Sequence, residues 1–449
     1  MKRYLLLLIG PFAWCSQSLA QVPFASIKLD KTTDLQTFSL KDSVLLSYFR
    51  PNAVGGGNFH GGVIVRKDGS YRDFSLEDVA TQLCGSELKD EQLFLYFIEK
   101  KKNRLVLQTL KYNKENNSRK ILDDGIIING RLIGVDERNG ISVFSWNSSD
   151  RTLFVYRVSG GEHTENSYQL PTSAMFLEEF DFQVMPTHPG WLYQSNAKAK
   201  IYYNDQQVKV TLDRKFRTEI ISFNKGEKNY EVTTIGEDMT KGRETAVGSF
   251  LCDSLLFRMD IPDNGVRLSI FTVKDGLMIS SRILYAANAG ESETTYFHSG
   301  KEDVTHHQEK LKRLMLFYGI GARPSIIANK LKNGNYCVTL GSFYNQKGTG
   351  IVASANPVTL LVGSFVMTAI KQARKAPGAS RYIYTNVNGK AIDFQNEPSI
   401  VFKAIDDFDI SKPKGSTIED VLVEDAQNAI LAFHDLNSQT LQLIRVHSE

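Results

Sequence analysis

Two short stretches hold the residues whose types and spacing could do chemistry. The first is AVGGGNFHGGVIV, where five glycines and His60 crowd against an apolar run. Glycines in that density suit a phosphate cradle, but a cradle needs a following helix whose N–H groups point at the anion. Here Val63, Ile64 and Val65 lead into Lys67-Asp68-Gly69-Ser70, which reads as strand and turn. The stretch is therefore expected to be an expanded hairpin loop between VLLSYF and GVIV, with Asn58, Phe59 and His60 at its tip. The second is THPGWLYQ, where His188, Trp191 and Tyr193 surround Pro189 and Gly190 in a turn and could present aromatic surface to a ligand. Asn58, Phe59, His60, His188, Trp191 and Tyr193 are the candidate ligand-binding residues.

Catalysis is harder to read. A hydrolase or lyase acting on extracellular glycans or peptides would need His60 and His188 to converge with Asp68, Glu162 or Asp181 in one concave pocket. No serine sits in a GxSxG elbow, and no glycine loop carries the lysine and hydroxyl of a nucleotide-triphosphate site. His306 and His307 are adjacent, so on a helix they point about 100° apart and do not share one ion. Asp406, Asp407 and Asp409 suggest calcium, but Ile410, Lys412 and Pro413 break the oxygen spacing of a calcium loop, and a surface turn is expected. No catalytic residue, metal site or cofactor is assigned, and a binding role is favoured over an enzymatic one.

The elements that must position these residues recur. LFLYFIEKKKNRLVLQTLKY from Leu93 pairs two β-rich apolar runs across a polar turn, and the unit returns from Ile141, from Leu255 and from Ala429. Its leading residues Asp42, Asp90 and Asn139 stand 48 and 49 positions apart, and further units begin near Lys198, Asp253 and Asn335. That interval suits one four-stranded blade, so the expected fold is all-β, a β-propeller of roughly six to eight irregular four-stranded blades forming one domain over 21–449, with a β-sandwich plus a second β domain as the alternative. Ring closure predicts that VPFASIKL adds a strand beside the final LQLIRV.

Two segments depart from the pattern. GKEDVTHHQEKLKRLMLFYG has helix formers with acids early and bases late, which predicts a helical insertion near 300–320 within an excess at about 299–333. The run from Gly350 to Ile370 has no charge before Lys371, but Asn356 and Pro357 interrupt it, and 358–370 is too short to span a bilayer. Buried strands are expected there, with peripheral membrane contact through 358–370 as the sharper reading.

Compartment and charge narrow the role. Lys2 and Arg3, the apolar run from Tyr4 to Trp14 and the exit Ser18-Leu19-Ala20 read as a signal peptide over 1–20, with the mature chain in the periplasm, outer envelope or extracellular space. Loss of Lys2 and Arg3 takes the formal charge from +3 to +1, leaving no field to attract nucleic acid. Cys84, Cys252 and Cys337 are too few and too scattered for a disulfide framework. The expected protein is an exported envelope or cell-surface scaffold that recognises a protein or glycan through loops on one propeller face.

Overall fold

A computed structural model describes residues 23–448 apart from several short connections and the longer stretches 52–57, 187–194, 237–246, 286–295, 300–322, 346–377 and most of 394–415. The described residues form seven mostly antiparallel sheets of four or five strands, taken up in chain order in a propeller-like arrangement. The first sheet holds Thr33–Leu40, Ser43–Pro51, Asn58–Arg66 and Tyr71–Ser75. The second holds Leu83–Lys89, Gln92–Lys101, Arg104–Tyr112 and Arg119–Ile128, and the third Arg131–Asp136, Ile141–Asn147, Thr152–Ser159 and Glu162–Gln169. The fourth runs from Phe182–Val184 through Ala199–Tyr203, Gln207–Asp213 and Thr218–Asn224 to Tyr230–Ile235, and the fifth from Val247–Cys252 through Leu255–Asp260 and Gly265–Thr272 to Met278–Tyr285.

The last two sheets are irregular in different ways. In the sixth, Arg323–Lys330, Tyr336–Asn345 and Gly378–Asn388 are consecutive, and both Tyr296–Ser299 and Ala391–Asp393 pair with Gly378–Asn388. The seventh combines Thr417–Val423, Asn428–Asp435 and Thr440–His447 with Ala25–Ile27 from the start of the chain. Ala25 lies opposite Leu443 and Ile27 opposite Leu441, so the two ends of the chain meet in one sheet as closure requires.

First strands touch from sheet to sheet: Thr33–Leu40 contacts both Thr417–Val423 and Leu83–Lys89, and Val247–Cys252 contacts Arg323–Lys330. Between sheets the strands bury both faces, which explains the near-continuous apolar runs in place of strict alternation. Tyr96, Tyr156 and Trp146 fill these interfaces. A bulge interrupts the first strand at Thr33/Gln36, Leu83/Gly85, Leu132/Gly134 and Ile418/Asp420, so Gln36, Gly85, Gly134 and Asp420 hold equivalent places in four sheets.

The repeat has a chemical signature at the first turn of each sheet. Asp42, Asp90, Asn204, Asp253, Asn333 and Asp425 stand between the first and second antiparallel strands of six of the seven sheets, and Asn139, expected to mark the third, lies outside the described residues. Asn204 Oδ1 accepts the N–H groups of Gln206 and Gln207, Asn333 Oδ1 that of Asn335, and Asp425 Oδ1 that of Gln427. The unit expected near Lys198 is centred on Asn204 instead, because the extra strand Phe182–Val184, parallel to Ala199–Tyr203, shifts the interval.

The segment expected to form a helix near 300–320 lies outside the described residues, as does 358–370. Helical residues occur elsewhere: Val401, Ala404, Ile405 and Phe408, the last of them within the acidic stretch where a surface turn was expected, take helical positions three and four apart and pack onto the core shared by the fifth to seventh sheets. Phe408 meets the Phe433 ring edge-on at 5.4 Å.

Candidate functional site: a polar seam between two sheets

The glycine-rich stretch does not end in a loop tip at His60. Asn58, Phe59 and His60 belong to the strand Asn58–Arg66, opposite Pro51, Arg50 and Phe49. His60 is buried, its Nε2 within 2.8 Å of the buried Ser47 hydroxyl and its ring stacked on Phe49 at 4.3 Å. A hydroxyl and imidazole at that distance resemble a nucleophile and base, but both are closed off from water, so the pair cements the sheet. The glycines beside it serve packing. A Cβ at Gly61 would stand 2.6 Å from the Tyr48 ring, and one at Gly62 2.4 Å from the Phe74 ring.

His188, Trp191 and Tyr193 lie outside the described residues. The carboxylates once grouped with the histidines do not converge. Asp68 sits exposed in the last turn of the first sheet and Glu162 begins the last strand of the third, whereas Asp181 is buried beside Lys198, 2.9 Å away. Among the described residues no group of histidine, cysteine and carboxylate side chains is arranged for a metal ion. Cys84 and Cys337 are free and buried, which raises their thiols, and burial pushes Cys252 up to about 12.

A different cluster occupies the interface between the fourth and fifth sheets. Across the fifth sheet the register sets Ser249 opposite Arg258, Arg258 opposite Ser269 and Ser269 opposite Ser281, a polar row crossing all four strands. Asp260 and Arg267 form the next pair toward the connection 261–264. Side chains two apart share a face, so Ser249, Arg258 and Asp260 point the same way as Leu251 and Leu256, toward Ile220 and Ile235 of the fourth sheet.

The fourth sheet answers with Lys200, Asp213 and Thr218. Lys200 Nζ reaches Asp213 Oδ2 at 2.6 Å with both side chains nearly inaccessible; Thr218 Oγ1 donates to Asp213 Oδ1, and the Ser249 N–H crosses from the fifth sheet to Oδ2. Arg267 meets Asp260 at 3.4 Å and is the open end of the seam, 40% exposed where Asp260 is 13%. Burial holds the Arg258 guanidinium below its usual range against the pull of Asp260 and Asp213, and burial raises the Asp260 carboxyl despite Arg267 and Arg258. Among the described residues the cluster joining these two sheets has five buried members, against ten between the first and second, and charged side chains share the interface with it.

A second feature is the acid Glu137. Glu137 follows the first strand of the third sheet, and burial, then Asp136 and Asp420, push its carboxyl up to about 8, although its surface is partly open to water. Asp420 belongs to the seventh sheet, so its charge acts on Glu137 from a sheet other than Glu137's own.

The sequence reading missed the seam. Its trace was visible in LLFRMDIPDNGVRLSIFTV, where Arg258, Asp260, Arg267 and Ser269 interrupt strands that otherwise bury both faces. Polar side chains on one face of an otherwise apolar strand pair mark an interface that is not simply a core.

No protein-family model matches the chain, and no characterised protein matches it in sequence. Among solved structures it is similar to the Dos1 propeller, with a TM-score of 0.35 and 9% identity over 95% of each chain. It is also similar to Sqt1 from Chaetomium thermophilum, with a TM-score of 0.34 and 9% identity over 95% of this chain and 99% of that one. The polysaccharide lyase Uly1 gives a TM-score of 0.26 and 9% identity over 55% of this chain and 59% of its own. Likenesses this loose decide nothing about activity, and the arrangement rests on strand order and register.

Proposed function

We propose that the protein is an exported envelope or cell-surface binding protein on a seven-bladed β-propeller, recognising a protein or glycan ligand through the connections on one face. The support is an asymmetry of connection length. In an antiparallel blade, the turns from first to second strand and from third to fourth lie on one face. The turns from second to third strand, and the crossings to the next blade, lie on the other. On the first face every turn is short, the longest being the six residues 113–118. The ends of 52–57, 170–181, 236–246, 300–322, 346–377 and 394–416 belong to the other face, as do the end of 185–198 that enters Ala199–Tyr203 and the end of 286–295 that leaves Met278–Tyr285.

Chain not needed to close a blade is concentrated where a ligand would be met. The glycine-rich stretch attaches to that face at both ends, and THPGWLYQ lies in the connection that enters Ala199–Tyr203 from it. The seam between the fourth and fifth sheets opens beside it, since Asp213 and Asp260 end strands that lead into 214–217 and 261–264. Capture of a partner from envelope extract by mature protein tests the reading. His188→Ala and Trp191→Ala should abolish capture while Lys67→Ala, on the short-turn face, preserves it; capture unaffected by the first two and lost with the third would reverse the assignment.

Glu137 supports a second reading, an extracellular glycan- or peptide-directed hydrolase or lyase. A carboxyl pushed up to about 8 by burial and by the charges of Asp136 and Asp420 is suited to proton donation near neutral pH. Turnover of glycan or peptide polymers that is lost in Glu137→Gln would favour it over binding alone.

A further inference from the structure

We propose that the hairpin tip 99–104 of the second sheet is a docking surface for an anionic lipid bilayer, with its cations set against phosphate-bearing headgroups. The tip joins the second strand of that sheet to the third, so it lies on the long-connection face. It shares that face with the proposed ligand site and no residue with it. Six consecutive residues, Glu99-Lys100-Lys101-Lys102-Asn103-Arg104, hold four cations and one carboxylate, and Lys100, Lys101, Lys102 and Arg104 are all exposed. Glu99 is committed to Lys101 at 2.6 Å. Among the described residues, Lys100, Lys102 and Arg104 meet no carboxylate. Cations on the short-turn face are treated differently: Lys67 meets Asp42 at 3.0 Å and Lys330 meets Asp253 at 2.8 Å.

The backbone fixes the tip. Lys101 lies opposite Arg104, and the two residues between them, Lys102 (φ 45°) and Asn103 (φ 67°), both take the left-handed conformation of a two-residue hairpin turn. Asparagine or glycine holds the first of these positions at lower cost, so Lys102 keeps a cation where the turn alone would not select one. Beside the tip, the outer strand Arg119–Ile128 ends in three isoleucines. Ile127 stands opposite Val106, which stands opposite Glu99, and Ile127 is 45% exposed. Unpaired like charges on one tip repel one another, and a surface of opposite sign relieves that repulsion. Lysines act as point charges, which suits a fluid array of headgroups better than the fixed fork by which arginine reads a single anion. An exposed isoleucine next to them enters the headgroup boundary while the cations stay outside it.

Co-sedimentation of the mature protein with vesicles tests the surface, using phosphatidylcholine alone and phosphatidylcholine mixed with phosphatidylglycerol. Binding is expected to the mixed vesicles only, and it should fall as salt is raised. Each cation removed should weaken it about fivefold, so Lys100→Gln combined with Lys102→Asn should weaken it about 25-fold. The thermal midpoint of that variant should hold or rise, because no ion pair is lost and asparagine suits the turn. No binding to the mixed vesicles, equal binding to both kinds, or unchanged binding in the folded double variant overturns the proposal. Displacement from the mixed vesicles by polygalacturonate at equal charge would replace the lipid with an anionic glycan and overturn it as well. Partner capture through His188 and Trp191 reads the ligand proposal separately: capture without vesicle binding removes only the membrane surface, and vesicle binding without capture removes only the ligand site.

Discussion

Thr37 and Asp420 stand 383 residues apart in the chain and meet on one oxygen: the Thr37 N–H and Oγ1 both donate to Asp420 Oδ2, at 2.7 and 2.5 Å. The contact ties the first sheet to the seventh through Thr417–Val423, at the edge of the seventh sheet opposite to Ala25–Ile27. Asp420→Ala leaves a buried N–H unsatisfied and should cost about 1–3 kcal/mol in urea unfolding. Asp420→Asn retains an acceptor and should cost less. Equal losses in both would mean that the carboxylate's charge, and not its hydrogen bonding, holds the ring closed.

Glu137 sets a pH dependence with a definite sign. Its folded carboxyl is pushed up to about 8 from an ordinary 4.5, so between those values the folded chain holds a proton that the unfolded chain has released. Stability from this group is complete below about pH 4.5 and declines as pH rises through 8. Thermal midpoints between pH 5 and 9 should fall with pH in the native chain and fall less steeply in Glu137→Gln. A slope that survives the substitution unchanged would assign it to other groups.

The glycines at 61 and 62 separate two kinds of crowding. Tyr48, which a Cβ at Gly61 would strike, is buried, whereas Phe74, which a Cβ at Gly62 would strike, is half-buried and meets it with the far edge of its ring. Gly61→Ala should therefore cost about 1–3 kcal/mol, the usual penalty of overpacking, and Gly62→Ala less, because Phe74 can swing outward. Chemical denaturation of the two variants gives the order directly. In the same sheet, His60→Ala should lower stability and leave partner capture intact.

Architecture was legible because blades repeat. Asp42 and Asp90 mark first turns, where Asp tolerates the left-handed backbone of Asp90 (φ 49°), and their spacing gave the blade length. The pairing of the chain ends followed from closure. His60 misled because glycine density looks the same in a mobile loop and in a strand overlaid by Tyr48 and Phe74; only the ring positions separate the two. The helical residues around Phe408 were hidden by the acids beside them, which draw the eye to a turn. The seam was invisible as a site because Lys200 and Asp213 come from one sheet and Ser249, Arg258 and Arg267 from another, and no local spacing joins them.

Lys200 and Asp213 provide the last test, since they anchor the seam without being its open end. Both side chains are almost entirely buried, and each has lost its hydration in exchange for the 2.6 Å contact. Lys200→Met removes the cation and strands a buried carboxylate that still accepts from Thr218 and the Ser249 N–H. The expected loss is about 3–5 kcal/mol, the range for breaking a buried pair from one side. Lys200→Met combined with Asp213→Leu removes both charges and should recover much of that loss, leaving the unpaired Ser249 N–H as the residual cost. Urea unfolding of the single and double variants measures the coupling; a double variant no more stable than Lys200→Met alone would show that Asp213 stabilises the interface through Thr218 and Ser249 and not through the lysine.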